Sequence, residues 1–159
     1  MIERTLILLK PDSVQRQLVG EIISRFEKVG LKIVGMKMQW VDASFSKKHY
    51  AAHVEKKFYK GLEKMITEGP LIAIVFEGIH AVEVVRKMVG GTEPKTSTPG
   101  TIRGDYAHHS YIYADSKNKA IKNLIHASGN SEEAKSEVSL WFKDNELHNY
   151  ETVHELHVF

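Results

Sequence analysis

Thr5-Leu6-Ile7-Leu8-Leu9-Lys10, followed at once by Pro11, is an unbroken run of strand-favouring residues with a hard stop. Proline has no amide hydrogen to give to a sheet ladder, so the strand ends at Lys10. Beyond it, Leu18, Ile22, Ile23, Phe26 and Val29 recur at helical spacing until Gly30. Strand therefore passes into helix. Lys32 to Val41 then alternates, the set Lys32, Val34, Met36, Met38 and Trp40 being more apolar than the set between. That pattern predicts a half-buried strand with the first set inward. Asp42 to Ser46 supplies turn and cap residues, and helices are expected over Ser46 to about Glu55 and Tyr59 to about Glu68. Gly69 and Pro70 introduce Leu71 to Phe76, which reads as a fully buried strand, and Ala81 to Met88 reads as a short helix ended by Gly90 and Gly91.

From Gly91 to Lys122 the chain is rich in Gly, Pro, Thr, Ser and charge, and is expected to be a long functional loop. Ile121 to His126 reads as the last strand. Asn130, with Glu133 three residues on, caps a helix carrying Ala134, Val138, Trp141 and Phe142, and a polar tail follows Lys143. This order contains a β-α-β-β-α-β core, so the expected fold class is α/β (α+β), a ferredoxin-like sandwich with a four-stranded antiparallel sheet and added helices. Residues 1–159 read as a single domain.

Composition narrows the function. Lysine and arginine number 22 against 20 acidic residues, so the net charge of +2 does not make nucleic acid the default partner. Without cysteine there is no disulfide, thiolate metal site or cysteine nucleophile. No run approaches the ~20 apolar residues of a membrane span, and no export signal is evident, so a cytoplasmic protein is expected.

Neither a Walker loop nor a Rossmann glycine fingerprint is present. Phosphate would have to be held by side chains, and Lys10, Arg86 and Arg103 are the candidates, arginine because its fork donates two parallel hydrogen bonds. Read singly, each is equally a solvated surface charge. His126 ends the apolar Asn123-Leu124-Ile125 and precedes the flexible Ala127-Ser128-Gly129-Asn130, so a rigid element carries it. Neutral imidazole is a nucleophile near pH 7 and passes a phosphoryl group onward, and Glu137 on the next helix could hold its other nitrogen. A structural histidine is the plain alternative. His49 and His53 are spaced as helical metal ligands, yet Tyr50 stands where a zincin has its glutamate. His108, His109, His154 and His157 read as solvated side chains or adventitious metal contacts.

These residues also resemble a known family. Glu3-Arg4-Thr5 through Lys10-Pro11-Asp12, Val14-Gln15-Arg16 and Leu18-Val19-Gly20-Glu21-Ile22 are similar to the start of nucleoside diphosphate kinases. His49-Tyr50, Phe58, Gly61-Leu62, Gly69-Pro70, Glu77-Gly78, Arg86, Gly91-Thr92, Pro94 and Pro99 to Asp105 follow in family order. Asn123 to Ser128, Glu137, Leu140-Trp141-Phe142 and Glu146-Leu147 complete the match. The resemblance implies a ping-pong reaction in which His126 takes the γ-phosphate of a nucleoside triphosphate such as ATP or GTP and gives it to a nucleoside diphosphate, with Mg²⁺ on the phosphates. It implies that Lys10, Tyr50, Arg86, Thr92, Arg103 and Asn123 contact phosphate and sugar or support His126. By the same resemblance Phe58 stacks on the base, Ser128 and Glu137 orient the site, and the chain forms a homohexamer or, less commonly, a tetramer. No metal ligand, membrane or specific nucleic acid is implied.

Two stretches depart from the pattern. The connection over 106–122 is about ten residues longer than in typical relatives, and its Tyr106, Tyr111, Ile112 and Tyr113 predict packing against the body or a neighbour near the site. Gly129-Asn130 stands where most relatives carry Asp-Ser. The rival readings are a catalytically weak nucleotide-binding relative and a metal-dependent hydrolase using His49 and His53.

Overall fold

The computed structural model describes residues 1–158. Four strands, β1 (Ile2–Leu9), β2 (Lys32–Gln39), β3 (Leu71–Ile79) and β4 (Ile125–Ala127), form one sheet in the order β2-β3-β1-β4. Every neighbouring pair is antiparallel. The helices are α1 (Pro11–Gln15), α2 (Val19–Lys28), α3 (Ala43–His49), α4 (Tyr59–Thr67), α5 (Ala81–Val89), α6 (Ile102–Tyr106), α7 (Tyr111–Ser116), α8 (Ser131–Trp141) and α9 (Glu155–Val158). This is the ferredoxin-like sandwich expected from the element order.

The apolar run that opens β1 is continuous because both faces of the sheet are covered. Leu6 and Leu8 pack with Tyr50, Ile66, Val138 and Trp141 on one face, and Ile7 and Leu9 with Ile22, Phe26, Val85 and Leu124 on the other. β1 and β3 are the central strands, so what stands at the end of β1 sits on the most rigid part of the fold.

Several local expectations are corrected. Pro11 ends β1 but also opens α1, since a proline in the first turn needs no amide hydrogen. The helix expected over Ser46–Glu55 spans Ala43–His49, capped by the Asp42 carboxylate on the Phe45 amide, and a 3₁₀ turn over Ala51–His53 replaces its second half. In β2 the expected inward set is buried only at its start. A bulge between Ile33 and Gly35 shifts the register, and Met36 and Met38 on this edge strand, with Trp40 just past its end, lie exposed. The polar tail folds back on β2, where the His148 amide donates to Val34 O at 2.7 Å and Lys32 bonds Glu77 and Glu155. The long loop after Gly91 contains α6 and α7.

The last strand is much shorter than Ile121–His126, and the cause is Leu124. It holds a left-handed φ of 71° that breaks the ladder, a conformation costing an ordinary residue of order 1 kcal/mol or more. Its surroundings over-determine it. The Leu124 amide donates to Asp12 Oδ2 at 3.0 Å, and its carbonyl accepts from the Lys10 amide at 2.8 Å and from Ser13 Oγ at 2.6 Å.

Candidate active site

Lys10 leaves β1 as the residue that precedes α1, and the turn at Leu124 brings Asn123 against it. Lys10 Nζ donates to Asn123 Oδ1 at 2.7 Å, and Asn123 Nδ2 donates to the Thr92 carbonyl at 2.8 Å. Burial first, then the positive charge of Arg103, lowers the Lys10 ammonium to about 8.

Arg103 is buried with no carboxylate on it. Its guanidinium donates to Asn123 O at 3.1 Å, Gly90 O at 3.1 Å and Ile125 O at 2.6 Å. These carbonyls fix the fork without neutralising its charge. Gly90 ends α5 at φ 86°, and a Cβ there would meet Thr101 Oγ1 at 2.5 Å, so glycine lets α5 close onto the Arg103 segment. Burial and nearby Arg86 press Arg103 down to about 10, which leaves it charged at neutral pH.

His126 lies in β4 opposite Leu8. Its Nε2 is 2.9 Å from Glu137 Oε1, and Glu137 Oε2 accepts from Ser128 Oγ at 2.6 Å. Burial would raise the Glu137 carboxyl, but the His126 hydrogen bond and charge outweigh it and hold the group below its ordinary value. An ionised carboxylate only accepts, so Nε2 carries the proton and Nδ1 of the neutral ring keeps its lone pair. Ser128 in turn is anchored to the Leu6 amide at 3.3 Å, tying the pair to β1.

His126 lines a cleft of about 880 Å³ that Glu137 does not border, so Nδ1 is the ring nitrogen left free for a ligand there. Lys10, Tyr50, Arg86, Thr92, Arg103 and Asn123 border its inner end with His126, and Phe58, 56% exposed, stands at the mouth. Ser128 and Glu137 do not border the cleft and lie behind the histidine. The structure thus brings together the ten residues that the resemblance implied for the site, eight on the cleft and two behind His126. Burial, then the Glu137 charge, pushes the Tyr50 phenol up, so it stays a protonated donor.

A family model described as nucleoside diphosphate kinase matches residues 3–147. The chain belongs to the nucleoside diphosphate kinase family. It is 55% identical over 148 residues to the nucleoside diphosphate kinase of Pyrococcus horikoshii, covering 93% of this chain and 90% of that one. A solved structure of the Borrelia burgdorferi nucleoside-diphosphate kinase, a transition-state mimic with bound vanadate and ADP, superposes with a TM-score of 0.93 at 46% identity. That match covers 97% of this chain and 95% of the other. The Halobacterium salinarum enzyme in complex with CDP superposes at 0.87 with 39% identity, covering 100% and 99%.

As a nucleoside diphosphate kinase family member the chain still holds features that its sequence did not disclose. His49 packs edge-on against His126, with ring centroids 4.8 Å apart. Trp141 Nε1 donates to His49 Nδ1 at 3.2 Å, which leaves the proton on Nε2. His49, His126 and Glu137 have ligand-type atoms within 4.8 Å of one another. A metal there would nonetheless have to displace the Nε2 proton while Trp141 holds the other lone pair, so the group is not a prepared metal site. Burial first, then His126, lowers His49 to about 3 and keeps it neutral. At the position after Ser128, Glu133 Oε2 accepts from the Gly129 amide at 3.0 Å, and Asn130 caps α8.

Proposed function

We propose that the chain passes the γ-phosphate of a nucleoside triphosphate to a nucleoside diphosphate by way of a phosphohistidine at His126, as a nucleoside diphosphate kinase. The observation that carries this is the His126 ring, its Nε2 held by Glu137 and its Nδ1 left free, lining a cleft that also carries Lys10, Arg86 and Arg103. The Nδ1–P bond forms as the bond from the γ-phosphorus to the β,γ-bridging oxygen breaks, and the first diphosphate leaves. A second diphosphate then attacks along the same line, and the nitrogen lone pair is returned.

Such a transfer needs positioning and neutralisation of spread negative charge. Lys10, Arg86 and Arg103 supply charge, Tyr50, Thr92 and Asn123 supply polar contacts, and Glu137 with Ser128 orients the ring. Phe58 offers a π-face to any base. Among the described residues a single carboxylate, that of Asp115, borders the cleft, too few to hold a cation without the nucleotide. Mg²⁺ therefore fits as part of the nucleotide substrate, where it screens phosphate charge. This reading takes residues 1–159 as one domain in the cytoplasm, and among the described residues no helix is long and apolar enough to cross a membrane. It takes the assembly as a homohexamer, or else a tetramer, supported by the exposed Met36 and Met38 on edge strand β2 and Trp40 just past its end.

Incubation with labelled Mg-ATP gives an acid-labile, alkali-stable phosphoenzyme that chases onto GDP or CDP. His126→Ala abolishes it; label retained in that variant would move the nucleophile elsewhere.

A further inference from the structure

The segment that follows Tyr106 forms one whole wall of the cleft through Tyr111, Ala114, Asp115, Asn118, Ala120 and Ile121. Its orientation is legible from its two ends. The Tyr111 amide donates to Glu93 Oε1 at 2.9 Å, one residue beyond Thr92, so α7 begins at the phosphate end. Ala120 N stands 3.3 Å from where a Cβ on Gly61 would be, which sets the far end beside α4 and Phe58. Asp115, near the end of α7, therefore lies on the way from phosphate site to base platform.

Asp115 is itself exposed, and its place on the cleft rather than any burial is what marks it. Among the described residues Asp115 is the one carboxylate bordering a cleft that carries Lys10, Lys57, Lys60, Arg86, Arg103 and Lys119. It makes no ion pair or side-chain hydrogen bond among the described residues, and it sits in the last turn of a helix with no basic residue there, where the helix dipole opposes a negative charge. Nothing in the packing of α7 calls for it, and against a polyanion it is unfavourable unless it meets a hydrogen-bond donor.

We propose that Asp115 reads the hydrogen-bonding edge of the base and selects guanine, an inference that rests on Phe58 being the base platform. Guanine presents two adjacent donors, the ring N1–H and the 2-amino group, which match the two acceptor oxygens of a carboxylate. Adenine and cytosine set an acceptor nitrogen beside their amino group, and uracil and thymine flank their single N–H with carbonyls. Each turns a lone pair toward Asp115. The inserted wall thus adds base preference to a platform that by stacking alone accepts every base.

Phosphoenzyme made with labelled ATP and chased with limiting GDP, inosine diphosphate or ADP tests this, because inosine lacks the 2-amino donor. In the wild type GDP chases about tenfold faster than ADP, the scale of one charge-assisted hydrogen bond, with inosine diphosphate between them. Asp115→Asn and Asp115→Ala bring the GDP to ADP ratio to within about twofold. An unchanged ratio in both variants, a wild type without preference, or equal losses for GDP and ADP would overturn the inference. Absence of any phosphoenzyme would instead overturn the phosphohistidine reading, and equilibrium binding of GDP against ADP to the same proteins then still reads Asp115.

Discussion

Glu137→Ala removes the acceptor from His126 Nε2 without touching any group that borders the cleft. The lost bond spans 2.9 Å between a ring N–H and an ionised carboxylate. Hydrogen bonds to charged partners contribute roughly 1.5–3 kcal/mol, so the phosphorylation step slows by about 10- to 150-fold at roughly 1.4 kcal/mol per decade. Ser128 keeps its link to the Leu6 amide, which limits the cost in stability. Glu137→Gln retains a carbonyl acceptor for Nε2 and an amide that can donate to Ser128 Oγ, so only charge assistance is lost and the rate falls by about tenfold or less. Rapid-quench measurement of phosphoenzyme formation under single turnover separates the step from nucleotide binding. The apparent affinity for ATP should stay within about twofold in both variants. Phosphorylation of folded Glu137→Ala at more than half the wild-type rate, or a loss seen only in affinity, would refute the idea that the carboxylate sets the tautomer and aim of the ring.

Four further outcomes are expected. Because Lys10 is held at about 8 in the free protein, kcat/KM falls as pH rises through 8, whereas kcat persists higher once bound phosphate stabilises the ammonium; a flat kcat/KM to pH 10 contradicts this. Between pH 8 and 10.5 the unfolded chain binds a proton at Lys10 that the native state does not, so this group makes stability rise with pH there. His49 is lowered from 6.5 to about 3, so the unfolded state gains its proton first and stability is lost as pH falls below 6.5. Urea unfolding at pH 6.5 and 5 should show His49→Gln spared up to about 2 kcal/mol of that loss; parallel curves would rule it out. Gly129→Asp meets only the mobile end of Glu133, whose Oε2 would be 2.5 Å from the new Cβ, and should change turnover by less than about tenfold. Transfer from ATP to GDP seen only in that variant would make the wild type a degenerate relative.

Much of the fold could be read along the chain because its signals are local. The run from Thr5 to Leu9 declares a strand, Leu71 to Phe76 a fully buried one, Asn130 with Glu133 declares a helix start, and the element order leaves few topologies for one antiparallel sheet. The chemistry-bearing residue types were legible for the same reason, and the resemblance ordered them. What the chain alone misjudged depends on partners distant in sequence. The bulge in β2 is set by pairing with β3, and it left Met36, Met38 and Trp40 outside. The left-handed Leu124 exists only because Asp12, Ser13 and Lys10, more than 100 positions away, claim its backbone groups. That turn cuts β4 short and places Asn123 against Lys10. The packing of His49 on His126, with its tautomer fixed by Trp141, likewise joins residues that no spacing relates. Local propensity and residue type belong to the sequence by itself; which lone pair faces the cleft, and which carboxylate looks into it, only the folded chain decides, since those follow from hydrogen bonds between segments that no spacing joins.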